Sequence, residues 1–278
     1  MVLSIGEILV DIFIDGDKHT TFAGGAPFNV ACNISTFNKG QVSFYGAIGQ
    51  DDNGKLLLDF AKKRISHLYL DTLSKVETTQ AIVSLDNGER SFRFNRGADY
   101  LLDINKVKEI DFSDINIVHL GSLMLSHQVG RDFINEVISL IRSSQKSLIS
   151  FDVNYRDDIF SSPEEAKNVF LSVIKQVDVI KFTEEELTLL SGQDDIKKGL
   201  EMLLNPNQIA VVTLGKDGSI FYSKDKYIKV GTYPLKPVDT TGAGDAFYSY
   251  FLYRLDLGLD ISSDVDIRDT LLRANVVG

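Results

Sequence analysis

Short β-branched runs alternate with helical stretches along most of this chain, and that alternation leaves few folds open. Met1–Ile5, Gln41–Tyr45, Ile115–Leu120, Ser147–Val153, Val177–Phe182 and Gln208–Leu214 are nearly continuous apolar runs, the pattern of strands buried on both faces. Between them, Pro27–Phe37, Asp51–Ile65, Gly130–Ser143, Pro163–Ile174, Glu184–Leu190 and Asp194–Leu204 carry helical periodicity. Ser162-Pro163-Glu164-Glu165 is a well-formed helix start, with serine to cap, proline at the first helical position and acids facing the dipole. Strands and helices of these lengths in strict alternation predict βαβ units and an α/β fold around a mostly parallel sheet.

Two stretches depart from that scheme. Val10–Ala23 and Thr78–Asn95 alternate apolar with polar residues, and Asn87-Gly88 separates Ala81–Leu85 from Arg90–Phe94 as a hairpin turn would. Alternation means one face wet and one covered. We therefore expect a small β-sheet lid from about 10–23 and 78–97, standing off a single domain that spans 1–278. An uncovered lid edge would invite pairing, so a homodimer through the lid is an expectation.

Composition narrows the function classes. The 278 residues are 44% hydrophobic and 24% charged, enough for a sizeable core. A net charge of −10 speaks against binding nucleic acid, whose phosphates need a lysine and arginine footprint. It leaves a nucleotide site open, because that needs only local N–H donors, a cation or two and Mg²⁺. No apolar run approaches the ~20 residues of a membrane span, and the first strand has no basic leader before it. Cys32 is the only cysteine and follows an apolar-spaced stretch, so it reads as a buried thiol in a reducing compartment. A cytoplasmic location is expected.

The strongest chemical signal is Val238-Asp239-Thr240-Thr241-Gly242-Ala243-Gly244-Asp245-Ala246-Phe247. A strand-like lead-in ends in polar residues, two glycines flank an alanine, and an aspartate opens the apolar helical run Ala246–Leu255. Glycines allow close backbone approach, and the free N–H groups of a helix start suit an anion such as a phosphoryl group in transfer. Asp245 beside them could take a proton from an attacking hydroxyl. An aspartate at a helix start is also an ordinary cap, so this motif needs company.

Three other clusters supply it. Ala23-Gly24-Gly25-Ala26-Pro27-Phe28-Asn29 is a second glycine-rich loop entering a helix, with Asn29 able to donate to and accept from sugar hydroxyls. Phe151-Asp152-Val153-Asn154-Tyr155-Arg156 and Val211-Val212-Thr213-Leu214-Gly215-Lys216-Asp217-Gly218 place polar groups where buried strands end, the edge at which open parallel sheets bind ligands. Each of those two also fits a plain strand-exit turn. Absences count as well. No Gly-x-x-x-x-Gly-Lys-Ser/Thr and no Gly-x-Gly-x-x-Gly after the first strand occur. His19, His67, His119 and His127 lack zinc spacing and read as surface or helix-packing residues.

Taken together, these clusters resemble the PfkB, or ribokinase-like, family of carbohydrate kinases along nearly the whole chain. The family's N-terminal motif is similar to Gly24–Ala31 and its C-terminal motif to Asp239–Phe247, in the right order and about 200 residues apart, with Gly46–Asp51 and Gly54 matching between them. The resemblance implies a three-layer α/β/α body with a β-sheet lid, and a reaction between ATP and a small sugar. It implies Asp245 as base, with Gly242, Ala243 and Gly244 as the anion hole. Asp11, Gly25, Asn29, Arg96 and Arg156 would serve the sugar or the transferring phosphate. Thr183, Thr213, Gly215, Gly218 and Asn275 would lie along the nucleotide, Glu186 would organise Mg²⁺ through water, and Asp239 with Thr241 would form a site for a monovalent cation such as K⁺.

Within the family, Gly6–Asp11, Gly88–Phe92, Arg96–Asp99 and Asp152–Arg156 look most like fructokinases, which implies fructose as the sugar and fructose 6-phosphate as product. Kinases of 2-keto-3-deoxygluconate, ribose or nucleosides share the scaffold and stay open, as does a sugar-binding protein without catalysis. Three departures stand out. Asn95 precedes Arg96 where fructokinases carry an aromatic, and Gly97 follows it directly without their slightly longer turn. Thr183 replaces an asparagine. The chain stops at Leu271–Gly278 within a helical pattern, where relatives continue into a segment that helps close the adenine pocket and the cation site.

Overall fold

The computed structural model describes residues 1–15, 18–37, 41–86, 89–144, 146–232 and 241–278. In chain order they form β1 (Val2–Ile5), β2 (Leu9–Asp15), β3 (Lys18–Gly24), α1 (Ala26–Phe37), β4 (Val42–Gly49), α2 (Asp52–Ala61), β5 (His67–Leu73), β6 (Gln80–Asp86), β7 (Glu89–Asn95) and α3 (Ile104–Lys108). There follow β8 (Ile117–Leu120), α4 (Gln128–Ser144), β9 (Leu148–Asp152), α5 (Pro163–Ile174), β10 (Val179–Thr183), α6 (Glu184–Ser191), α7 (Ile196–Leu203), β11 (Ile209–Thr213), β12 (Ser219–Ser223), β13 (Lys226–Val230), α8 (Ala243–Asp256) and α9 (Asp264–Val277).

The central sheet runs β13-β12-β11-β10-β9-β8-β1-β4-β5. Its strands are parallel from β11 to β5, and β12 and β13 return antiparallel at one edge. Successive side chains on a strand point to opposite faces, so each buried strand feeds two cores. Leu3 and Ile5 join one core with Phe133 and Ile141 of α4, Phe170 of α5 and Leu187 of α6. Val2 joins the other with Phe28 and Val30 of α1, Leu57 of α2, Phe251 of α8 and Leu271 of α9. Two apolar layers on one sheet require helices on both sides, which is the three-layer α/β/α arrangement expected. The parallel strands all end on one edge, where Gly6, Gly121, Val153 and Leu214 lead out.

The two alternating stretches pair into a separate four-stranded sheet in the order β3-β2-β6-β7. β6 and β7 form an antiparallel hairpin with Asp86 opposite Glu89. The Asn87-Gly88 turn proposed to join them lies outside the described residues.

Some elements are differently bounded or were not foreseen. α2 ends at Ala61, short of Ile65, because its last turn tightens into the shorter bonds Lys63 N–H to Phe60 O and Arg64 N–H to Ala61 O. β5 is a sheet edge whose residues are exposed or half-buried, so it lacks the continuous apolar run of an inner strand.

Asp51 fastens the small sheet to the body. One carboxylate oxygen accepts from the Gly54 N–H, capping α2, and from the Thr78 hydroxyl, each at 2.7 Å. The other accepts from the Thr78 N–H at 2.7 Å, and the Thr78 hydroxyl in turn accepts from the Gly49 N–H at 3.0 Å. The end of β4, the start of α2 and the root of β6 thus meet on one side chain. Asp51→Ala removes a helix cap and strands a backbone donor, so urea denaturation should show a loss of about 2–3 kcal/mol. Asp51→Asn should recover part of it.

Candidate active site

Two helix starts converge at the carboxyl edge of the sheet. Gly25 turns the chain into α1 at φ +110°, and a Cβ there would lie 2.4 Å from the Glu7 carbonyl oxygen, so only glycine fits. Gly242 turns the chain into α8 at φ +74°. α1 and α8 pack side by side, and the Asn29 amide donates to the Asp245 carboxylate at 2.9 Å across 216 residues of sequence. Asp245 sits in the first turn of α8, where the opening N–H groups have no partner inside the helix and face outward.

The charges around this point are unevenly shielded. Burial pushes the Asp245 carboxyl up to about 6; the bond from Asn29 opposes that, Asp152 adds to it, and Lys181 and Arg156 counter it. Burial likewise pushes Asp11, on β2, up to about 6, with Arg156 pulling the other way. Arg156 is exposed and holds its guanidinium within electrostatic reach of both carboxylates while Nη1 donates to the Tyr155 carbonyl at 3.3 Å. Just before it, Asn154 has φ +38°, the one non-glycine residue in that region among the described residues. Asparagine tolerates that conformation better than most residues, and here it turns the chain out of β9 toward Arg156.

Arg96 is occupied. Its Nε donates to Asp99, Nη1 to the Ser126 hydroxyl at 2.6 Å, and Nη2 to Asp99 and to the Leu123 carbonyl. Four of its five N–H donors are spent within the protein. Asp99 is itself fully buried and bonded to Thr79. Arg96 still lines a cleft of about 360 Å³ with Arg93, Phe94, His127, Asp158 and Ile159.

On the other side, Thr183 caps α6 and shares a reciprocal capping box with Glu186. The Glu186 carboxylate is buried and accepts from the Thr183 N–H at 2.7 Å and the Tyr155 N–H at 2.8 Å. Thr183 therefore replaces the asparagine without loss of the local fold. Thr213 ends β11 and Gly215 and Gly218 bound the turn to β12. Asn275 on α9 donates to the Gly231 carbonyl at 3.2 Å. Thr241 is exposed next to Gly242, and Asp239, its proposed partner at the cation site, lies outside the described residues. Among the described residues no three His, Cys, Asp or Glu side chains gather as a metal cage. Each Glu186 oxygen accepts one backbone N–H and keeps a second lone pair that a water can use.

Three residues with strong local effects had no signal in the sequence. Glu7, between β1 and β2, is fully buried, and its Oε2 has no hydrogen-bond partner. Lys181, inside the apolar run of β10, forms a buried ion pair with Asp152 at 2.8 Å. Of the two places its sequence context implied, surface or helix packing, His119 takes the second: it stands buried on β8 with its ring edge-on to Tyr248 of α8 at 5.4 Å between centroids. Its Nδ1 bonds Ser150 of β9, whose hydroxyl bonds the Tyr248 hydroxyl of α8 at 2.7 Å, and this polar chain seats α8 on the sheet. Burial drives His119 down to about 3, so it stays neutral.

The chain matches the pfkB family carbohydrate kinase profile over residues 1–278. It belongs to the pfkB family of carbohydrate kinases. A probable fructokinase-7 from Arabidopsis thaliana is 33% identical over 296 residues, covering 100% of this chain and 85% of that protein. The Vibrio cholerae O395 fructokinase structure with fructose, ADP and calcium superposes with a TM-score of 0.86 at 32% identity, covering 99% of this chain and 90% of that one. The Xylella fastidiosa fructokinase structure with bound ATP reaches a TM-score of 0.91 at 27% identity, with 99% and 90% covered. Among the described residues no helix is long and apolar enough to cross a membrane.

Burial pushes the carboxyl of Glu7 up to about 8 in this pfkB kinase, with Asp99 and Asp245 adding to the effect and Arg96 opposing it. A folded-state value above the ordinary one gives stability at low pH that is lost as pH rises toward about 8. Glu7→Gln should therefore melt higher than the parent at pH 8.5 and show a flatter dependence of Tm between pH 6 and 9, read by differential scanning calorimetry.

Proposed function

We propose that this kinase transfers the γ-phosphoryl group of ATP to the 6-hydroxyl of D-fructose, giving fructose 6-phosphate and ADP. The observation that supports the reading is the contact of Asn29 with Asp245 beside the start of α8, where a carboxylate, an amide and the opening N–H groups of a helix lie together. The Vibrio cholerae fructokinase structure holds fructose and ADP and the Xylella fastidiosa one ATP on the same scaffold, which supports the choice of substrates.

In this reading Asp11, Gly25 and Asn29 hold the sugar between the small sheet and the body, and Arg156 reaches toward the transferring group. Arg96 shapes the wall of the sugar cleft through Asp99 and Ser126. Asp245 takes the proton from the 6-hydroxyl as its oxygen attacks the γ-phosphorus in line and the bond to the ADP oxygen breaks. The N–H groups of the Gly242-Ala243-Gly244 turn face the equatorial oxygens, and charge stabilisation with positioning supplies most of the rate. The nucleotide lies along Thr183, Thr213, Gly215, Gly218 and Asn275. Mg²⁺ on its phosphates, held by Glu186 through water, would neutralise part of their charge; Asp239 and Thr241 would take K⁺. Closing the small sheet over the sugar excludes water and limits ATP hydrolysis. Among the described residues no further strand pairs with the outer strands β3 and β7, and such edges suit pairing with a second copy.

ADP release measured with Mg-ATP on fructose, ribose, 2-keto-3-deoxygluconate and adenosine should show turnover on fructose. Turnover on another sugar would replace the substrate, and fructose binding without turnover would make the protein a binder. Asp245→Asn should keep the fold and lower kcat by at least ~10². The base works deprotonated, so kcat should fall as pH drops through about 6, the value to which burial pushes Asp245. A loss of affinity alone in Asp245→Asn would remove it from the base role.

A further inference from the structure

Lys181 and Asp152 are neighbours on adjacent parallel strands, in register and pointing to the α8 side of the sheet. Both side chains are almost wholly buried. The Lys181 ammonium is bound by both carboxylate oxygens, at 2.8 and 3.0 Å. The pair also lies directly under the start of α8: a Cβ on Gly244 would sit 3.5 Å from both Cε and Nζ of Lys181. Nothing in the packing of an apolar strand calls for a lysine here. A hydrophobic pair would fill the space without the cost of desolvating two charges.

We infer that Lys181 and Asp152 are a balanced pair of positioning residues beneath the helix start: each charge alone would displace the proton affinity of Asp245, and bonded together they cancel. The inference rests on the proposed role of Asp245 for its catalytic consequence, but not for the physical effect itself. Asp245 is faced by Asn29 from α1, Asp152 from β9, Lys181 from β10, Arg156 from the loop after β9 and Glu7 from the loop after β1. Among these only Asp152 and Lys181 form a buried, mutually bonded pair of opposite charge. The two act on Asp245 with opposite signs: the carboxylate disfavours ionisation of the base and the ammonium favours it. Burial works against the Lys181 charge, yet Asp152, then Glu186 and Asp245, outweigh that and hold its pKa above the ordinary lysine value, so the ammonium persists across the working pH range.

The test is the titration of the Asp245 carboxyl carbon by ¹³C NMR, assigned by its absence in Asp245→Asn, alongside the acid limb of kcat on fructose. Lys181→Met should move the midpoint up by about one pH unit and Asp152→Asn should move it down by about as much. The double variant Lys181→Met/Asp152→Leu, which leaves no unpaired charge, should return it close to the parent value. The acid limb of kcat should follow each displacement. A pair that merely held strands together would lower Tm in the single variants and leave the midpoint in place, and that result overturns the inference. Should Lys181→Met fail to fold, Asp152→Asn and the double variant decide it: an unmoved midpoint in Asp152→Asn overturns it. A midpoint that moves while the limb of kcat stays put supports the effect of the pair and removes Asp245 from the base role.

Discussion

The side-by-side packing of α1 and α8 is the constraint on which the rest of the site depends. Each helix begins at a glycine with positive φ, and each start lies over the carboxyl edge of the parallel sheet. Their registration brings Asn29 within 2.9 Å of Asp245. It also sets the opening turn of α8, whose first N–H groups have no partner within the helix, beside that contact. The apolar faces of both helices belong to the same core, with Phe28, Val30, Phe247 and Phe251 against Val2 and Val179 of the sheet. The geometry of the site is thus maintained by hydrophobic packing, while its chemistry comes from the polar groups at the ends.

Polar groups inside that core refine the position of α8. His119, Ser150 and Tyr248 form a bonded chain from β8 through β9 to the helix, and Lys181 with Asp152 lies one layer nearer the site. Buried polar groups cost free energy unless paired, so the bonds of His119 Nδ1, Ser150 and Tyr248 favour this seating of helix on sheet, although the buried His119 Nε2 has no partner among the described residues. On the far side, Asp51 joins the root of the small sheet to the body through three short bonds. The root of the small sheet and the body are consequently tied through one side chain.

The kinase fold was largely legible in the sequence because its inner strands are buried on both faces and so carry unbroken apolar runs. The strands at the two edges of the main sheet left less trace. β5 alternates exposed and half-buried residues, and β12 and β13 are short antiparallel additions at the sheet edge. The glycine motifs were legible for a different reason: a backbone conformation open only to glycine leaves a mark in one dimension.

Sequence alone determined the layer order, the positions of the two glycine turns and the candidacy of Asp245 and Asn29 as separate site residues, since those follow from local periodicity, local backbone limits and family motifs; that the two touch came only from the packing of α1 on α8. Tertiary structure decided what long-range contact imposes. Arg96, free on paper, is bound by Asp99, Ser126 and Leu123. Lys181, an apparent irregularity in an apolar run, is paired with Asp152 under the helix start, and Glu7 lies in a pocket that leaves one oxygen without a partner. The reason is physical: a side chain's charge state and its free donors depend on burial and on partners tens or hundreds of residues away, and no local pattern records them.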